Sequence, residues 1–208
     1  MSGQKRKGRW MVSMVLLVLL GACATPITHP VPMDYAGGAQ PATGGPVSIG
    51  IQPFVDQRTG GDPYLIGYRQ VRRGEQERYV SSPDDVARSI TRMTGALVRQ
   101  KGGDPGVLTG WDFSPDQMLA LSDAFDVFIG GEVRRLQCDA ERRFMHTRMV
   151  LELDMVFYVG KVREGVVHRR PIQMKTERVT PAFGPRELGR FLNDMLSQAL
   201  EKGCRDIF

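Results

Sequence analysis

The run Met149-Val-Leu-Glu-Leu-Asp-Met-Val-Phe-Tyr-Val159 constrains the fold more than any other stretch. Its odd positions are Met, Leu, Leu, Met, Phe and Val, with Glu152 and Asp154 between them. Successive side chains of a strand point to opposite faces, so this period predicts a strand with one apolar and one charged face. Gly160 to Gly165 supplies a turn, and Val166 to about Val179 returns as the second arm of an antiparallel hairpin. A register with Leu151 opposite Met174, Leu153 opposite Ile172 and Val159 opposite Val166 keeps the apolar side chains together. It sets Glu152 opposite Gln173 with Lys175 diagonal to it, and leaves Arg170 opposite Met155 as its one discord. An apolar sheet face must be covered by a second layer.

Two long helices are predicted to cover it. Gly184-Pro185 opens the last, where Leu188, Phe191, Leu192, Met195, Leu196, Ala199 and Leu200 make one stripe before Lys202-Gly203. In Ser82-Pro83-Asp84-Asp85 the serine suits a cap, the proline the first turn, and the two acids the helix dipole. Val86, Ile90, Met93, Leu97 and Val98 follow at helical spacing, and Gly102-Gly103 ends that element. Ser114-Pro115-Asp116 starts a short helix through about Phe125. Val47 to Phe54 reads as a strand, with Pro53 at its end or on an edge. Tyr64–Val71 and Glu77–Val80 pair as a hairpin, and Asp126 to Cys138 forms a strand in which Gly130-Gly131 allows a bulge or close packing. The fold class is α/β of the α+β kind: a mixed or antiparallel sheet of about five strands against two long helices and one short helix.

The N-terminus has a different character. Residues 1–10 hold Lys5, Arg6, Lys7 and Arg9 and no acid, and Met11 to Leu20 is an apolar run about half the length needed to span a bilayer. Leu20-Gly21-Ala22-Cys23 follows. This arrangement resembles the bacterial lipoprotein signal, whose lipobox is an aliphatic residue, a small pair and a cysteine. The resemblance implies that 1–22 is a signal peptide and that Cys23 is lipidated and becomes the first mature residue. It also implies that Ala24, in place of a retention aspartate, directs the protein to the outer membrane, facing the periplasm. Several acyl chains hold a protein where one binds only marginally. From 23 to 46 the chain is rich in Pro, Gly, Ala and Thr and reads as a flexible tether in which His29 is solvated, so 47–208 is expected as the single domain.

Charge bears on partners. Of the 28 Lys and Arg, four lie in the first ten residues, leaving 24 against 23 acids, a balance with no electrostatic footprint for nucleic acid. Beyond Cys23, Cys138 and Cys204 remain: an even pair in an oxidising compartment, either a disulfide or two buried or free thiols.

A search for chemistry returns capping and charge pairing. His146 and His168 lie over about 30 Å apart along the predicted hairpin and cannot share a metal. Glu152 and Asp154 share a strand face beside Lys and Arg, which suits a solvated ladder better than an acid–base pair. There is no P-loop, dinucleotide turn, nucleophile elbow or CxxC. No enzyme, metal or cofactor is expected.

The element order, with Val47-x-Ile49-x-x-x-Phe54-x-Asp56-x-Arg58, Gly67, the helix ending at Gly102 and Val127-x-Ile129-x-Gly131, resembles small outer-membrane lipoproteins of the YajG kind and the auxiliary lipoproteins of envelope lipid transporters. That resemblance implies a fold and a location. Two functions follow: a non-catalytic adaptor docking on an envelope protein partner, or a carrier of a lipid or other apolar ligand between helix and sheet. An apolar pocket between the last helix and the 149–176 hairpin favours the carrier, and a filled core favours the adaptor.

Overall fold

The computed structural model describes residues 26–38, 47–71 and 75–208. The expected signal peptide, 1–22, and the expected lipidation site Cys23 lie outside the described residues. Strand β7 (Val127–Arg142) is the spine of the fold. Three short strands share one of its edges end to end, all parallel to it: β2 (Ser48–Ile51), β3 (Val55–Asp56) and β4 (Leu65–Gln70). Its other edge pairs antiparallel with β8 (Thr147–Lys161), and β8 with β9 (Val166–Thr180). Beyond β4 come β5 (Gln76–Ser82) and β1 (Ile27–Pro32), and beyond β2 comes β6 (Asp104–Val107). The class is α+β as expected. The sheet, however, has nine strands among the described residues, where about five were predicted: β3 and β6 are too short to show a period, and the prolines of β1 hide one.

The expected tether is in part paired sheet. Ile27–Pro32 is a strand parallel to β5, and Val31 and Met33 are fully buried. Its prolines hid the alternation of His29, Val31 and Met33. On an outer strand the missing N–H groups cost little, since one row of them has no ladder partner. His29 is correspondingly not a solvated linker residue: its ring stacks on Tyr79 at 5.2 Å.

The 149–180 hairpin is offset from its predicted register. Leu153 faces Met174, Glu152 faces Lys175, and Val159 faces His168. The strands continue through Gly160 and Lys161, and the turn is only Val162–Gly165, closed by Gly165 at φ 67°. A two-residue slip preserves the alternation of faces, so the apolar face is the one expected. Arg170 now lies opposite Phe157 and reaches the Gly203 carbonyl at 3.1 Å.

Helix α1 (Val86–Gln100) and helix α3 (Pro185–Gly203) pack on one face of the sheet, and α2 (Pro115–Ala120) lies on the other. Ser82 stays in β5, opposite Pro32, so the cap of α1 is Asp85, which accepts from the Arg88 N–H at 2.8 Å. Leu188, Leu192, Leu196 and Ala199 of α3 are fully buried in one core with Leu151, Met155 and Phe157 of β8. Each such side chain contributes about 1.5–3 kcal/mol by leaving water.

A second apolar cluster on the opposite face went unpredicted. Trp111, Met118 and Phe128 are buried there, and Phe113 stacks on Tyr158 at 4.3 Å with planes 9° apart. The unbroken run Val127-Phe-Ile-Gly-Gly was its signal: a strand with no polar alternation is buried on both faces. Gly130 and Gly131 do serve close packing. A Cβ on the first would meet Phe113 at 2.7 Å, and one on the second Phe54 at 2.5 Å. The bulge falls elsewhere, at Arg134.

Candidate functional site

An open groove of about 460 Å3 lies between the 56–63 loop, β4 and the bulged part of β7. The bulge builds it. Between Val133 and Arg135 the register with β8 shifts, so Arg134 and Arg135 both face outward before the alternation resumes at Leu136. Asp56 and Arg58 form its wall. Nε and Nη2 of Arg58 donate to the Asp56 carboxylate at 2.9 and 2.8 Å, Nη1 donates to the Leu65 carbonyl, and Nη2 also donates to the Pro63 carbonyl. Burial pushes the Asp56 carboxyl up, but the Arg58 hydrogen bonds and charge outweigh it and hold the group below its usual range. This pair is a staple for the loop.

The groove's charges are matched from within. Arg78 pairs with Asp62, Arg134 with Glu132 at 2.7 Å, and Arg135 with Glu152 at 2.7 Å. Lys175 donates to the other Glu152 oxygen at 2.7 Å, so the expected ladder on this face is present, and it holds the Glu152 carboxyl low. No nucleophile stands beside a base here.

Cys138 and Cys204 are free, buried thiols. The register keeps them apart: Cys138 lies opposite Leu151, whereas the chain at Gly203 packs on Phe157, six residues (about 20 Å) along β8. A disulfide between them is therefore not formed, and burial pushes both thiols up to about 12. Among the described residues, no group of three or more His, Cys, Asp or Glu is arranged to hold a metal, and no helix is long and apolar enough to cross a membrane.

Between α3 and β9 a second groove, of about 530 Å3, has Met174, Phe191 and Met195 at its floor and Lys175, Arg178, Asp194 and Glu201 around it. Beneath it Leu192 and Leu196 are fully buried. Pro53 is not on an edge, because β2 runs between β6 and β7. Among the described residues the outer strands are β1, β6 and β9, and on β6 Val107 is 80% exposed.

No family model matches the chain, and no curated protein does. Among solved structures, one described only as an uncharacterized protein is similar at a TM-score of 0.50 and 10% identity, covering 88% of this chain and 99% of that one. A Xanthomonas campestris protein of the DUF330 family is similar at 0.49 and 10% identity, covering 86% and 91%. The Neisseria meningitidis lipoprotein GNA1162 gives 0.42 and 9% identity, covering 76% and 97%.

Proposed function

We propose that the protein is a lipid-anchored accessory subunit of an envelope machine, held at the outer membrane through Cys23 and acting by docking. The observation that carries this reading is the closed core between α3 and the β8–β9 hairpin. Leu192 and Leu196 are fully buried against the apolar face of β8, so the space a lipid carrier would need is occupied by side chains. The groove above it is rimmed by charges, which an acyl chain would have to desolvate at a cost of several kcal/mol.

Of the outer strands, β6 best suits a partner. Among the described residues it pairs only with β2, Val107 stands exposed, and Phe208, which lies 3.3 Å from the position of a Gly103 Cβ, is half exposed beside it. An unpaired edge with adjacent apolar side chains suits addition of a partner strand. In-cell photo-crosslinking tests this, with the probe replacing Val107 and, as a comparison, Gln173 on β9. A discrete protein adduct at Val107 supports docking there. Lipid adducts at either position, without protein, overturn the accessory reading in favour of a carrier.

A further inference from the structure

We infer that the tip of the β7–β8 hairpin, Arg142-Arg143-Phe144-Met145, is a second membrane contact that enters the anionic lipid surface to which Cys23 is anchored. The inference rests on the anchoring reading above and adds to it an orientation and a lipid-binding element.

Strand pairing fixes the geometry. Ile27 is level with Glu77, Glu77 with Arg69, Arg69 with Ala140, Ala140 with Met149, and Met149 with Arg178. This row crosses six strands, and the chain enters it from the N-terminal side at Ile27. Only four residue steps lead from Cys23 to Ile27. Fully extended, they span about 13 Å, so the acyl chains hold this end of the sheet against the bilayer. From the same row the hairpin projects in the same direction, since Phe144 lies four residues beyond Ala140, again about 13 Å. Three strand spacings, about 14 Å, separate β1 from β7 sideways. A bilayer surface within reach of Cys23 is thus within reach of the tip.

The chemistry of the tip matches that surface. Phe144 is 84% and Met145 75% exposed, neither packed on the domain. Between Glu141 and Arg148 the hairpin carries three arginines and one acid, in a mature chain that is otherwise almost neutral. Arg148 is committed to Glu177 at 2.6 Å and Arg143 lies 3.3 Å from Glu141, while Arg142 is exposed at the base of the turn. Apolar side chains flanked by arginines partition to the headgroup boundary of anionic bilayers, the apolar groups below and the guanidinium groups at the phosphates. A protein partner is the competing occupant, and the test separates the two.

The mature lipoprotein carrying Met145→Cys is labelled with an environment-sensitive fluorophore and reconstituted into vesicles of phosphatidylethanolamine and phosphatidylglycerol. The two native thiols are buried and leave the label at one site. Val107→Cys, on β6 and level through Ile51 with Ile129 near the start of β7, is the reference. The expected result is a blue-shifted emission several-fold brighter at 145 than at 107, quenched by spin-labelled lipid and reduced by Arg142→Glu with Arg143→Glu. Equal, water-like emission at both sites on a protein whose mass shows acyl chains overturns the tip contact alone. A blue shift that spin-labelled lipid does not quench also overturns it, in favour of contact with a second copy of the chain. An unacylated mass overturns the anchoring reading, and the inference falls with it.

Discussion

Arg58 holds Asp56 through two side-chain hydrogen bonds of 2.9 and 2.8 Å while its remaining donors reach the carbonyls of Leu65 and Pro63. One side chain thereby fastens the 57–64 loop to the end of β3. Arg58→Ala removes four side-chain hydrogen bonds to three residues and leaves the partly buried Asp56 without its ion pair. It should cost about 2–3 kcal/mol in urea unfolding. Because the folded state holds the Asp56 carboxyl low, its share of stability is present above the ordinary carboxylate range, near pH 4, and is lost as pH falls through the folded value. Asp56→Asn should flatten that part of the acid limb.

The glycines of the sheet make a graded test of close packing. A Cβ at Gly67 would sit 1.9 Å from the Cys138 carbonyl oxygen, and backbone in a paired strand cannot yield. A Cβ at Gly160 would meet the Met118 sulfur at 2.5 Å, the movable end of a flexible side chain. Gly67→Ala should therefore cost more than about 3 kcal/mol or prevent folding, and Gly160→Ala about 1–2. Similar midpoints for the two variants would contradict the packing described.

For the two thiols the pH effect runs the other way. Burial raises Cys138 and Cys204 from 9.0 to about 12, so the unfolded chain releases their protons first. Their contribution is intact below pH 9 and is lost between 9 and 12. Stability of the wild type should fall between pH 8 and pH 10, and the fall should be smaller in Cys138→Ala. Native protein should also resist alkylation at both sites until it is unfolded, with a free-thiol count by mass as the readout.

Residues 27–33 decide between a tether and a strand. Val31 has no exposure and packs 3.5 Å from where a Gly189 Cβ would stand on α3. Val31→Asp should cost at least about 3 kcal/mol, whereas the same change in a solvated tether would cost nothing measurable.

These residues also show what the sequence made legible. The 149–159 strand, the α1 and α3 stripes and the apolar face of the hairpin follow from periods long enough to be unambiguous. The register did not, because Gly160 and Lys161 look like turn residues and are strand. β1 was missed because three prolines in seven residues mask a period of two. β3 and β6, at two and four residues, exist only through partners far away in the chain. Asp56 and Arg58 stood out in the sequence, but their role as a staple depends on the Leu65 and Pro63 carbonyls. The Arg142–Met145 tip gave no signal at all, since exposure belongs to the fold and not to the residues.

The account stands first on the anchor. The most direct measurement is the mass of the N-terminal peptide from protein recovered in the membrane fraction of the cell envelope, for the wild type and Cys23→Ala. A peptide beginning at Cys23 and carrying acyl chains, with neither cleavage nor acylation in the variant, is the predicted result. An unmodified Cys23, or a wild type and a variant that fractionate alike at unchanged mass, would contradict it.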